Sequence, residues 1–223
     1  PLALATPGYY TVGLTVNDGT DTAQVVRTNL LYVVPPVLHV AAGHAGAGFP
    51  YATPATAAAT IQAAIDAARD GSRILVGPGD YLLSQSLEVS KGIEIRSTDG
   101  PAATRVSRLN GVGTIRLMFL AHAQACIAGI NFDNGYQNVI NIWANGGVVS
   151  NCIIQRGTYT VGNGVGVRAR SGLITHCLVQ ANACSGNGAG VGLYLDGDAR
   201  AQNCLIRDNR STAADTKGGV YLA

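Results

Sequence analysis

The chain has 223 residues, of which 47% are hydrophobic and only 13% are charged, and its formal net charge is +2. This balance excludes intrinsic disorder, and the absence of a basic run gives no electrostatic support for a nucleic-acid partner. No apolar stretch approaches the length of a membrane span, so we expect no membrane insertion. Twenty-nine glycines are typical of a strand-rich chain with many turns.

Residues 1–36 are predicted to form a β-hairpin that is separate from the rest of the chain. Tyr10, Val12, Leu14 and Val16 alternate along the first strand, and an Asn-Asp-Gly turn follows at residues 17–19. The phrase PGYYTVGLTVND resembles the C-terminal hairpin of a PKD-type immunoglobulin-like domain. The resemblance implies a partial β-sandwich that serves as a spacer in a secreted or cell-surface protein.

Residues 37–223 are predicted to begin with a strand at 37–40 and, after a loop, an amphipathic helix. Thr60 can cap this helix, Gly71 can end it, and Ile61, Ala64, Ile65 and Ala68 form its apolar face. Because the end of a solenoid exposes its core, we expect this helix to act as the N-terminal cap.

A phrase built around an apolar anchor recurs in the second half of the chain. The anchors are Ile130, Cys152, Cys177 and Cys204. Successive anchors are 22, 25 and 27 residues apart, and a recurring strand-and-turn unit of this length predicts a solenoid. In each unit the anchor, the residue three places before it and the residue two places after it are apolar, as in Val149, Cys152 and Ile154. Strict alternation cannot turn all three inward, so a bend must precede each anchor.

Residue types that tolerate a left-handed backbone stand at the predicted bends. The bends are expected at Gly129, Asn151, His176 and Asn203, and a second set of corners at Gly135, Gly157, Asn182 and Asn209. Small polar corners between β-branched strands favour a parallel β-helix over a leucine-rich horseshoe.

The stretch TIQAAIDAARDGSRILVGPGDY, followed by LEVSKGIEIRSTDGPAATRV and the later Asn-Cys phrases, resembles the pectin-lyase-like right-handed parallel β-helix family. The resemblance covers roughly residues 37–223 and implies an all-β solenoid, which we expect to be truncated at its C-terminal end. It implies no particular reaction, because many activities share this fold.

The strands that precede the repeated phrases predict an outward column on one sheet. When these strands are aligned, Trp143, Arg168, Tyr194 and Tyr221 fall in one column. Asn145, Arg170 and Asp196 run beside it, and Asn141, Gly166, Gly192 and Gly219 form an open margin on the other side. Successive members would lie about 4.8 Å apart. The column is either a ladder that stabilises the sheet or a platform on which sugar rings stack between polar groups.

Catalytic residues are not identified by the sequence. Asp196, Asp198, Asp208 and Asp215 are close in the chain, but no two carboxylates share one predicted outward column, and Asp198 and Asp208 suit turns. The histidines are scattered, and the five cysteines lack metal-ligand spacing. We expect Cys152, Cys177 and Cys204 to form an inward stack of thiols, with a disulfide as the alternative. No cofactor is evident from the residues, and the resemblance leaves calcium open.

We therefore expect a fragment of an extracellular or cell-surface multidomain protein that binds polysaccharide through the outward column. Two alternatives remain open. The chain is a non-catalytic adhesin or structural stalk, or it belongs to a polysaccharide lyase or hydrolase whose catalytic coils lie beyond the fragment.

Overall fold

A computed structural model of the chain describes residues 4–212 and 218–223. Its first element is an antiparallel hairpin of two strands, Gly8–Asn17 and Thr22–Val33. The turn between them is held by the Asn17 and Asp18 side chains, whose Oδ1 atoms accept hydrogen bonds from Gly19 N (2.7 Å) and Asp21 N (2.7 Å). The predicted strands and turn are therefore present, and most of the hairpin's apolar side chains are exposed.

The remainder of the described chain winds into a parallel β-helix, which confirms the predicted fold class. In the described residues it has three long parallel sheets, here called sheets A, B and C, and a short sheet D. Sheet A contains strands Val37–Val40, Arg73–Val76, Glu94–Ser97, Cys126–Ala128, Val148–Ser150, Leu173–Thr175 and Arg200–Gln202. Sheet B contains Gly79–Leu83, Thr104–Arg108, Asn131–Asp133, Ile153–Gln155, Leu178–Gln180 and Leu205–Arg207. Sheet C contains Leu87–Val89, Met118–Leu120, Ile140–Ile142, Val167–Ala169, Leu193–Leu195 and Val220–Leu222. Sheet D contains Thr158–Tyr159, Ala183–Cys184 and Arg210–Ser211.

The helix Ile61–Ala67, here called α1, covers the N-terminal end of this coil, and the 3₁₀ turn Pro54–Thr56 precedes it. Thr60 caps it as predicted, because its Oγ1 accepts a hydrogen bond from Ala63 N at 3.2 Å. The buried face contains Ile61, Ala64 and Ile65. The helix ends at Ala67 rather than at Gly71, since Lys91 Nζ binds the carbonyl oxygens of Ile65, Asp66 and Ala68 and so satisfies its last turn.

The bend before each anchor has the predicted left-handed backbone. The φ angles are 70° at Gly129, 49° at Asn151, 52° at His176 and 52° at Asn203. Each bend lets the apolar residues on both sides point inward, so that Val149, Cys152 and Ile154 are all at most 1% exposed.

The second set of corners lies one residue earlier than predicted. The left-handed residues are Asn134, Arg156, Ala181 and Asp208, with φ between 52° and 60°, and not the predicted Gly135, Gly157, Asn182 and Asn209. The side chains of the predicted asparagines instead form hydrogen bonds to groups of the neighbouring rungs. Asn182 is fully buried, its Oδ1 accepts from Gly157 N (2.9 Å), and its Nδ2 donates to Asn209 Oδ1 (2.9 Å).

The interior contains one large apolar core, which includes the predicted thiol stack, and a small second cluster of Val165, Cys184 and Val191. Cys152 and Cys177 are 1% and 2% exposed, Cys204 is half-buried, and all five cysteines are free thiols. Sheet B also buries one carboxylate, that of Asp133, which accepts hydrogen bonds from Arg105 Nε (2.6 Å) and Arg156 Nε (2.6 Å). No helix in the described part of the chain is both long and apolar enough to cross a bilayer.

Candidate functional site on the outer face of sheet C

In the first five sheet C strands the middle residue faces outward, because its two neighbours are in the core, and strand pairing gives Tyr221 in Val220–Leu222 the same direction. In the strand Val167–Ala169, for example, the flanking residues are fully buried and Arg168 is partly exposed. Strand pairing places these middle residues in one line, here called the middle column. Its members are Glu88, Phe119, Asn141, Arg168, Tyr194 and Tyr221.

The structure brings three of the predicted site residues together as expected. Arg168 pairs with Tyr194 and Tyr194 with Tyr221 in the strand register. The two tyrosine rings stack with centroids 5.3 Å apart and planes inclined by 11°. The Arg168 guanidinium carbon lies 5.7 Å from the centroid of the Tyr194 ring. These contacts form a continuous ladder of one guanidinium group and two rings across three rungs.

Trp143 does not lie in the middle column, so its predicted register was wrong. Asn141 pairs with Arg168 instead, because Ile140 and Ile142 are both fully buried and Ile140 aligns with Val167. The shift is two residues, which preserves the direction of the side chain. Trp143 therefore still faces outward, with 42% of its surface exposed.

Trp143 lies instead in a second line, here called the flanking column, with Arg170 and Asp196. Their amides occupy equivalent positions on successive rungs, since Trp143 N donates to Leu120 O, Arg170 N to Ile142 O and Asp196 N to Ala169 O. The Arg170 guanidinium carbon is 4.6 Å from the centroid of a Trp143 ring, and Arg170 Nε is 3.6 Å from Asp196 Oδ2. Asn145 was predicted to belong to this column, but it lies in the exposed turn after Trp143.

The predicted open margin is wrong at Asn141, Gly166 and Gly192, whereas a Cβ on Gly219 would meet nothing within 4 Å. Asn141 is in the middle column, and a Cβ on Gly166 would lie 2.8 Å from Val179 Cγ1 and 2.9 Å from Asn182 Nδ2. A Cβ on Gly192 would meet Asn209 Nδ2 at 2.8 Å. A Cβ on Gly166 would also meet Gly192 O at 2.5 Å, and one on Gly192 would meet Gly219 O at 2.8 Å. Both positions are glycine because the backbone of the next rung and a corner asparagine leave no room for a side chain.

Three buried polar atoms on this face have no hydrogen-bond partner. Among the described residues, such atoms are Arg116 Nε, Arg168 Nε and Asp196 Oδ1. Arg168 and Asp196 belong to the two columns, and Arg116 immediately precedes the sheet C strand Met118–Leu120. Buried polar groups are normally paired, so an orphaned group indicates a bound water or ligand. All three atoms lie on or beside the outer face of sheet C, which makes this face the candidate site.

The sequence interpretation missed the first half of the middle column. Phe119 lies 6.0 Å from Trp143 between ring centroids, and Glu88 begins the column. Burial raises the pKa of Glu88, and the nearby Arg116 guanidinium partly offsets this effect. The signal that identifies these residues is the pattern apolar–polar or aromatic–apolar in Leu87–Val89 and Met118–Leu120, which matches Val167–Ala169.

The aspartates considered for catalysis do not converge. Asp208 is a corner residue with φ 56°, Asp198 lies in the turn after Asp196, and Asp215 is outside the described residues. In residues 4–212 and 218–223 no group of three or more His, Cys, Asp or Glu side chains is arranged to hold a metal ion. Comparisons with protein-family models, curated proteins and solved structures gave no match for this chain.

Proposed function

We propose that the chain binds polysaccharide on the outer face of sheet C. The observation that carries this proposal is the coincidence of orphaned polar atoms with exposed rings on one surface. Arg168 Nε and Asp196 Oδ1 lack partners, while Tyr194, Tyr221 and Trp143 add partly exposed aromatic surface beside them. A sugar presents both a C–H face that packs on a ring and hydroxyls that bond charged groups, so it matches both features.

Binding without hydrolysis is the activity that this face supports best. Its carboxylates, Glu88 and Asp196, lie in different columns and four rungs apart, which is about 19 Å at the usual strand spacing. The paired carboxyl groups of glycoside hydrolases are about 5–9.5 Å apart. Glu88 and Asp196 are therefore too distant to share one glycosidic bond, and we assign both to ligand contact.

The wider setting of the protein is part of the same proposal. The resemblance of residues 37–223 to pectin-lyase-like proteins, and of residues 1–36 to a PKD-type hairpin, supports a secreted or cell-surface protein that contacts an extracellular polymer. In this proposal the hairpin acts as a spacer and sheet C as the binding surface.

The test is retention of the protein in native gels that contain polygalacturonate, hyaluronan or arabinoxylan. We expect at least one polymer to retard the unmodified protein. The double variant Trp143→Ala/Tyr194→Ala removes two stacking rings worth about 1 kcal/mol each, so its affinity should fall about 30-fold. Tyr9→Ala is the matched control, because this ring is 54% exposed but lies on the hairpin.

Circular dichroism spectra should be the same for all three proteins. Equal retention of the double variant and the unmodified protein, on every polymer that binds, would show that sheet C is not the binding surface. A selective loss in Tyr9→Ala would move the site to the hairpin.

A further inference from the structure

A cleft of about 670 Å³ opens beside the N-terminal end of the candidate site. One wall is the beginning of α1, including Thr60 and Gln62, and the other is the end of the strand Gly79–Leu83 with the turn at residues 84–86. Glu88, the first member of the middle column, also lines it. The cleft is therefore continuous with the face proposed to bind polysaccharide.

Helix α1 ends the binding face at this point. The strand Leu87–Val89 is the outermost strand of sheet C, and no further strand pairs with it among the described residues. The Glu88 amide donates to Gln62 Oε1 at 3.2 Å, so a helical side chain occupies the place of the next strand. A polymer chain laid along the middle column from Tyr221 reaches Glu88, beside α1, after five rung steps, or about 24 Å.

The chemistry of the cleft differs from that of the face. The charged residues that line it are Asp66, Asp80 and Glu88, and its lining contains no lysine or arginine. The face beyond Asn141 carries instead the guanidinium groups of Arg168 and Arg170. Carboxylates repel an anionic group but accept hydrogen bonds from hydroxyls, and Ser84 and Ser86 add further donors and acceptors. The cleft therefore suits an uncharged sugar that is rich in hydroxyl groups.

We propose that this cleft binds the uncharged terminal sugar of a polysaccharide chain whose following sugars lie along sheet C. The inference rests on the proposed function and adds to it that the protein recognises chain ends. A chain that enters the cleft cannot continue past α1, so each polymer molecule offers sites only at its termini.

The experiment measures how many protein molecules bind to polymer preparations of different chain length. The probe is the polymer that retards the protein in native gels, hydrolysed to long and short preparations and used at equal mass. Sedimentation at saturating protein gives the amount bound. End recognition predicts that the bound protein rises in proportion to the number of chain ends. Bound protein that depends only on the mass of polymer would overturn the proposal.

Two variants test the position of the terminal sugar. Ser86→Phe fills the cleft without adding a second tryptophan, so the fluorescence of Trp143, the only tryptophan of the chain, still reports binding. Its affinity for the short preparation should fall about tenfold, the equivalent of one or two lost hydrogen bonds. Thr20→Phe is the control, since Thr20 is exposed at the tip of the hairpin. Equal affinity of Ser86→Phe and Thr20→Phe would overturn the role of the cleft.

The two proposals fail differently. If no polymer binds, or if Trp143→Ala/Tyr194→Ala has no effect, the proposed function fails and the end-binding proposal fails with it. If the double variant loses affinity but binding follows polymer mass, only the end-binding proposal fails. The stoichiometry is measured on the unmodified protein, so misfolding of Ser86→Phe does not affect that result.

Discussion

Replacing Asn182 by alanine should be among the most costly single truncations of a polar side chain in this coil. Asn182 is fully buried at the second corner, and its amide makes three hydrogen bonds. Oδ1 accepts from Gly157 N at 2.9 Å, and Nδ2 donates to Ile154 O at 3.2 Å and to Asn209 Oδ1 at 2.9 Å. These bonds connect three successive rungs, so the side chain acts as a clamp along the solenoid axis.

The cost follows from what the truncation leaves behind. Gly157 N is buried and loses its acceptor, which costs about 1–3 kcal/mol, and each of the other two bonds contributes about 1 kcal/mol. We therefore expect Asn182→Ala to lower the free energy of unfolding by about 3–5 kcal/mol. Asn209→Ala is the matched control, because the same residue type at the equivalent corner is only half-buried. The Asn209 side chain also makes three bonds, since its Oδ1 accepts from Asn182 N and Nδ2 and its Nδ2 donates to Val179 O. Water can reach this half-buried corner and replace the lost groups, so the cost should be about 1 kcal/mol.

Urea denaturation followed by far-UV circular dichroism and by Trp143 fluorescence measures both values. Asn182→Asp adds a second comparison, because it keeps the shape and places a carboxylate opposite Ile154 O and Asn209 Oδ1. It should be at least as destabilising as alanine at neutral pH. Equal free energies of unfolding for Asn182→Ala and Asn209→Ala would refute the reasoning, since burial alone distinguishes them.

Three further predictions concern the core and sheet B. Cys177→Ser should lower the free energy of unfolding by about 1–2 kcal/mol, because the thiol is only 2% exposed, although Thr175 O, 3.2 Å from its Sγ, can accept a hydrogen bond from the new hydroxyl. Cys204 is half-buried, so Cys204→Ser should cost less. A lower denaturation midpoint for Cys204→Ser than for Cys177→Ser would contradict this order. The double variant Arg105→Ala/Arg156→Ala should lower the free energy of unfolding by about 3–5 kcal/mol, because it leaves the buried Asp133 carboxylate unpaired. Asp133→Ala should cost less, since the two arginines that it leaves behind are partly exposed. Equal costs for the two variants in urea titrations would refute this reasoning. The hydrogen bond with the Cys152 thiol, together with burial, raises the pKa of Cys177 to about 12, so the stability that this thiol contributes is present below about pH 9 and is lost as the pH rises towards 12. Between pH 8 and pH 11 the denaturation midpoint of the unmodified protein should fall more steeply than that of Cys177→Ala, and parallel curves would exclude the effect.

The sequence predicted the coil because its corners have strict backbone requirements. Few residue types tolerate a positive φ, so Asn151, His176 and Asn203 beside apolar anchors identified the first bend. Thr60 identified the start of α1 for a similar reason, since its hydroxyl satisfies a free amide of the first turn. Both are local effects that a single chain can reveal.

The register of the sheet C strands could not be predicted, because it depends on the length of the turn that joins each of them to the next sheet A strand. Five residues separate Ile142 from Val148, but only three separate Ala169 from Leu173. Counting back from the repeated phrase therefore placed Trp143 two residues out of line with Arg168. The glycines were misread for a related reason, because Asn182 and Asn209 were expected at the corner itself. Their inward side chains, which leave no room for a Cβ at Gly166 and Gly192, become visible only in three dimensions.

The stacking of similar rungs also has an evolutionary consequence. Because every rung contacts only the rungs above and below it, duplication or deletion of one whole rung leaves the remaining contacts unchanged. Each such event would lengthen or shorten the middle column by one side chain, or about 4.8 Å. We therefore expect homologues to differ in the length of the middle column by discrete steps, while the contact of α1 with sheet C through Gln62 and the corner asparagines stay the same.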